Sequence, residues 1–256
     1  MLDLPVPASL KSSGFKVWPR AGHQWLPVTG YIPYRFLVSY RAPAASLQRL
    51  VPEGFTLDTH QGFGFVSVCA LEVQSMGVVG APSWLRFDNR EFLYRLAVRL
   101  NGEATFLTLR SDVSSRALAR LGRHFSHYRP VLSLFSTRSQ AAFQRLECVS
   151  SDGLGDAVLE AELATAFRPR DSVFASTAEA SAFLLGMNFS SDRRPDGRIQ
   201  VQYIEHSAWN AAWADVRVAR FAFLQQMRQS LGLELRYDHT LGMRGIRQLW
   251  KAATWL

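Results

Sequence analysis

The stretch Phe63–Met76, FGFVSVCALEVQSM, decides what this chain can be. Successive side chains of a strand point to opposite faces, so its two registers can be read separately. One register holds Phe65, Cys69, Leu71 and Val73, and the other holds Val66, Val68 and Ala70. Both are apolar, the pattern of a strand covered on each side rather than lying on solvent. Upstream, a Gln61-Gly62 turn separates it from a strand at Phe55–Thr59. Before that, Tyr34–Arg41 (YRFLVSYR) reads as a strand and Pro43 opens a short helix carrying Leu47, Leu50 and Val51, ended by Pro52.

Downstream, Asn101-Gly102 is a hairpin signal, because both residues tolerate the positive φ that a type I′ turn needs. Pairing residues whose numbers sum to 203 sets Val98 opposite Thr105, Leu96 opposite Leu107 and Tyr94 opposite Leu109. The apolar residues of both strands then share one face, so turn chemistry and register agree. The other face carries Glu91, Arg95, Arg99, Arg110 and Asp112, interrupted by Leu93, Ala97 and Phe106.

Helices follow at Arg116–Phe125 behind Ser114-Ser115, at Thr177–Leu185 and at Ala222–Leu231, which Gly232 stops. Thr177 is the expected cap of the second, with Ala180 where a glutamate would complete a capping box. Strands are expected at Val131–Thr137, Ala142–Val149, Ala157–Phe167, Arg198–Glu205, Ala214–Arg220, Leu233–Tyr237 and Gly245–Trp250, and the polar run SSDRRPDG as a loop. Many strands with a few short helices imply an α+β fold dominated by an antiparallel sheet. No repeat or long linker divides it, so an arm over residues 1–30 precedes one domain over 31–256.

Composition narrows the function classes. Of 256 residues, 48% are hydrophobic and 20% charged, as in ordinary globular proteins. No apolar run is long enough for a membrane helix, and the start carries Asp3 and prolines rather than a secretory pattern. Cys69 and Cys148 are far apart and lie in apolar runs, as two buried thiols of a reducing compartment would, and the cytoplasm follows. The net charge of +8 admits an anionic partner, but the arginines are scattered and no nucleic-acid motif accompanies them. Nucleic acid is therefore not expected. No histidines stand at metal-ligand spacing and no phosphate-binding glycine loop occurs, so neither metal nor cofactor is implied.

Several segments together resemble the YqjF-like proteins, an uncharacterised bacterial family. They are YRFLVSYRAPAASLQRLVPEGF, FVSVCALEVQSM, GRHFSHYR, STAEASAFL and IEHSAWNAAWADV, in family order over roughly residues 30–250. That family in turn is similar to the acetoacetate decarboxylase superfamily. The resemblance implies a largely antiparallel β-cone or barrel around a small-molecule cavity. The decarboxylase forms a Schiff base on a lysine in a Tyr-Pro-Lys-Lys-like stretch; the matching segment here is His127-Tyr128-Arg129-Pro130-Val131. The only lysines are Lys11, Lys16 and Lys251, and a guanidinium stays protonated and cannot replace an amine nucleophile. Arg35 is displaced from the enzyme's arginine-glutamate pair, so that role is not carried over.

The candidate catalytic residues are Glu91, His127 and Tyr128, and the candidate ligand-binding residues are Glu72, Arg110 and His206. His127 and Tyr128 follow the long helix where the relatives carry their chemistry, as base and hydrogen-bond donor, or else lie on an exposed loop. Glu91 and Arg110 are diagonal across the expected hairpin, with Asp112 opposite Glu91, either lining a cavity or forming a water-facing edge. Glu72 continues the Val66, Val68, Ala70 register into a covered space or to its rim. His206 lies in the His206-x-Ala208-Trp209 element that the resemblance shares. The expected partner is a compact organic acid or carbonyl compound, bound or transformed by acid/base chemistry without a Schiff base. The alternative is a non-catalytic regulatory or interaction protein with a basic surface; catalysis and homo-oligomerisation stay open.

Overall fold

The computed structural model describes residues 25–125, 130–140, 143–163, 169–185, 189–193 and 197–256. Along the chain lie β1 (Val28–Pro43), α1 (Ala44–Gln48), β2 (Phe55–Leu57), β3 (Thr59–His60) and β4 (Phe63–Val78). Next come β5 (Phe87–Leu100), β6 (Glu103–Val113), α2 (Arg116–Phe125), β7 (Val131–Gln140), β8 (Phe143–Ser150) and β9 (Ala157–Leu163). The remainder is α3 (Thr177–Leu185), β10 (Phe189–Arg193), β11 (Ile199–His206), β12 (Ala212–Phe221), α4 (Ala222–Leu231), β13 (Arg236–Trp250) and β14 (Thr254–Trp255).

Five long strands form a central wall in the order β13-β1-β4-β5-β6. Two hydrogen-bonded paths leave its edges and close it twice. One runs from β6 through β7, β8, β9 and β12 back to β13, and the other from β6 through β10 and β11 to β13. The wall is therefore shared by two rings, and each ring meets a different face of it. That is why both registers of Phe63–Met76 are apolar. Val66, Val68 and Ala70 join one core with Phe36, Tyr94, Leu96 and Leu107, against which α4 packs Phe223 and Met227. Phe65, Cys69, Leu71 and Val73 join a second core with Leu37, Leu93, Phe106, Leu241 and Met243, covered by Phe174 and α3.

The hairpin forms at the expected turn, with Asn101 at φ 51° and Gly102 at φ 86°. Its register keeps Leu96 opposite Leu107 and Val98 opposite Thr105, and Tyr94, Leu96, Val98, Leu107 and Leu109 are all buried. Beyond Arg95↔Thr108 the register shifts, so that Tyr94 faces Arg110 and Glu91 faces Val113. Leu109 is the extra residue of a β-bulge, and every side chain after it changes face.

Three further readings are corrected. The cap of α3 is Ser176, whose Oγ accepts the Glu179 amide at 3.1 Å, while the Glu179 carboxylate accepts the Ala175 amide. The helix is thus capped one residue earlier than expected, with Glu179 reaching back past the cap to the preceding amide. The SSDRRPDG run is not all loop, because its first four residues belong to β10. Likewise β13 is one strand where two were expected. Gly242 lies at its centre because a Cβ there would fall 2.2 Å from Leu163 Cδ2 and against the Phe36 ring.

Candidate functional site

On the second-core side of the wall lies a cavity of about 70 Å³, room for roughly five waters. The wall contributes Arg35 and Leu37 from β1, Cys69 and Leu71 from β4, Glu91, Leu93 and Arg95 from β5, and Gln248 from β13. The opposite side comes from the short path, with Ser190 of β10 and Gln202, Ile204 and His206 of β11. Period-two alternation delivers these side chains: Arg35 and Leu37, then Glu91, Leu93 and Arg95, occupy every second position.

Two guanidinium groups face one carboxylate here. Arg35 is 5% exposed; its Nη1 donates to His206 Nε2 at 3.2 Å and its Nη2 to Gln248 Oε1. Its Nε is buried without a hydrogen-bond partner, as are Arg95 Nε and the hydroxyl of fully buried Ser190. The Arg95 guanidinium lies 4.6 Å over the Phe106 ring. Glu91 accepts the Ser111 hydroxyl at 2.7 Å. Burial pulls the pKa of both arginines below the ordinary value. Burial first, and then the charges of Arg35 and Arg95, bring His206 down to about 4. His206 is therefore neutral near pH 7, with the lone pair of Nε2 turned to Arg35. Among the described residues the site holds more positive charge than negative in a poorly solvated space.

Residues 34–239 match the family model DUF2071, described as an uncharacterized conserved protein. The chain belongs to the DUF2071 family. No curated protein matches it. Among solved structures, acetoacetate decarboxylase from Legionella pneumophila superposes with a TM-score of 0.60 at 14% identity, covering 100% of this chain and 98% of that one. The enduracididine biosynthesis enzyme MppR, complexed with pyruvate, gives 0.58 at 12% identity over 91% of each chain. An acetoacetate decarboxylase-like enzyme from Sphingomonas wittichii RW1 gives 0.58 at 12% identity, covering 91% of this chain and 93% of that one. The DUF2071 chain thus has the acetoacetate decarboxylase-like fold expected from its sequence.

Of the six candidate residues, the cavity of this DUF2071 protein brings together Glu91 and His206. Arg110 does not join them. The bulge at Leu109 turns it to the first-core face, where it donates to both oxygens of Asp112 at 2.7 Å and to Asp152 at 2.9 and 3.0 Å. The expected Glu91–Arg110 diagonal and the Glu91–Asp112 pairing are both undone by that one inserted residue. Glu72 also faces the other side, accepting the Tyr34 hydroxyl at 3.2 Å and lying 3.3 Å from Arg90. His127 and Tyr128 lie outside the described residues.

Sequence reasoning missed Arg35, Arg95, Ser190, Gln202 and Gln248. Arg35 had a signal, an arginine inside the apolar run YRFLVSYR, and Arg95 shared the face assigned to Glu91. Ser190 had none, because β10 resembles a loop until the short path of the ring is known, and Gln202 lay in an expected strand whose facing neighbours the sequence does not name.

Proposed function

We propose that this protein binds a compact organic acid bearing a carbonyl group in the Arg35–Arg95 cavity and acts on it by acid/base chemistry. The observation that carries this reading is a buried guanidinium, Arg35, and a half-buried one, Arg95, whose Nε is buried without a partner, facing a single carboxylate among the described residues of one cavity. Leaving such charge without a counterion is costly, and a ligand carboxylate or enolate would relieve it. The cavity volume of about 70 Å³ restricts the ligand to a few heavy atoms. That one structural neighbour is complexed with pyruvate supports the same class. Glu91 would move a proton at the carbon beside the carbonyl, with both arginines stabilising the developing oxyanion. His127 and Tyr128 remain proposed partners of Glu91 from the sequence resemblance.

Imine chemistry is not part of this reading. Among the described residues none that lines the cavity is lysine, and Lys251 pairs with Glu205. Borohydride with pyruvate or acetoacetate should leave the intact mass unchanged. The deciding experiment is calorimetry with pyruvate, acetoacetate and acetone on the wild type and on Arg95→Met. The acids should bind to the wild type and lose at least tenfold in affinity in the variant, roughly the scale of one desolvated charge contact, while acetone binds neither. Equal binding of acids and acetone, or of acids to both proteins, would remove the basis for the proposal.

A further inference from the structure

We infer that Cys69 is a covalent attachment point in this cavity, its Sγ adding reversibly to the carbonyl carbon of the bound acid. The inference rests on the ligand class proposed above and names the atom that would hold it. Cys69 stands at the middle of the wall, directly opposite Leu37 on one side and Leu93 on the other. The ladder register makes Arg35, Ser39, Glu91 and Arg95 its four diagonal neighbours. Diagonal positions lie about 7–8 Å apart, within reach of long side chains. A ligand carboxylate held by one guanidinium would place its carbonyl over the centre of that square, where the thiol is.

The other candidate nucleophiles on the lining are weaker. His206 Nε2 is occupied by Arg35, and the Ser190 hydroxyl has no base hydrogen-bonded to it among the described residues. Burial raises the Cys69 pKa, against the pull of Arg95 and Arg35. The thiol is therefore neutral at rest and needs a base. Glu91 can take the proton as the S–C bond forms and the C=O π bond opens. The alkoxide would be held by a guanidinium and then protonated from Glu91. The product is a thiohemiketal; no electrons leave the system and no group departs, so reversal releases the acid unchanged.

Cys148 is an internal control. It is also buried and unpaired, but it packs in the first core and is pushed up to about 12, chiefly by burial. Alkylation of the full-length protein by iodoacetate and by iodoacetamide, followed by peptide mapping, compares the two thiols. The iodoacetate-to-iodoacetamide rate ratio should be about tenfold or more higher at Cys69 than at Cys148, the lower end of charge focusing. It should fall to the Cys148 value in Arg95→Met. Equal ratios at the two cysteines would overturn the inference. With [2-¹³C]pyruvate, the carbonyl carbon should give a protein-bound tetrahedral-carbon signal, distinct from that of free hydrated pyruvate, that disappears in Cys69→Ser and Cys69→Ala, while calorimetric binding persists in at least one of them. Binding without that signal in the wild type defeats the covalent step alone. No binding of pyruvate at all defeats both this inference and the function it rests on.

Discussion

The two faces of the central wall differ in what they enclose. On one face Tyr94, Leu96, Val98 and Leu107 meet α4 and the long path of strands in a core that is nearly all apolar. On the other, Arg35, Cys69, Glu91 and Arg95 intrude among Leu37, Leu71 and Leu93, and a cavity remains. Adjacent residues of one strand thus belong to different environments, separated only by the thickness of a backbone. Stability should reside on the first face and ligand chemistry on the second, and substitutions can test that division.

The largest effect should come from Arg110→Met. Asp112 is fully buried, and its two oxygens both accept from Arg110. Stranding that carboxylate should lower unfolding free energy by about 3–5 kcal/mol in denaturant titration. Pyruvate affinity of the folded fraction should not change; a matching loss of affinity would show that the two faces are coupled. Next, Leu96→Ala should lose about 2–5 kcal/mol, whereas Leu93→Ala, beside existing empty space, should lose about 2 kcal/mol or less. Reversal of that order would mean that the second face carries the fold.

Arg95→Met should change stability by no more than about 1 kcal/mol in either direction, because removing a buried charge compensates for the lost contact. A loss as large as that of Arg110→Met would make Arg95 structural rather than ligand-binding. A further effect concerns pH. His206 has a folded pKa near 4, below its ordinary 6.5, so the unfolded chain binds more protons between those values. Its contribution is fully present above about pH 6.5 and is lost as pH falls toward 4. His206→Gln should flatten the stability profile in that window alone. Asp238, held near 2 although burial opposes it, by hydrogen bonds from His239, Arg41 and Ser172, acts only below its ordinary 3.8.

The wall was legible because its strands are extreme. Phe63–Met76 shows two apolar registers, and Asn101-Gly102 fixes the hairpin register locally. The bounds of α2 and α4 also follow from the chain alone, since apolar spacing and terminal residues agree there. What was not legible depends on contacts distant in sequence. β10 is polar and short, and it becomes a strand through β11, whose residues Ile199–Tyr203 pair with it, and through a single bridge from Ser190 to Phe106. β13 carries Asp238 and Gly242 in its middle, poor strand formers held in place by the neighbouring strand β1. The site suffered most from the Leu109 bulge. A β-bulge without glycine leaves no mark in composition, yet it decided that Arg95 and not Arg110 shares the cavity with Glu91.

The two-sided strand β4 also determines how such a protein can change over time. Its odd-numbered residues, Cys69 and Leu71, can be rewritten to suit another ligand while Val66, Val68 and Ala70 go on holding the fold. Selectivity and foldability are thus written on one strand in interleaved alphabets. A single-residue deletion there would swap the two, presenting the ligand with the core and the core with the site. Drift by substitution is open to the middle of β4; drift by insertion or deletion there is closed.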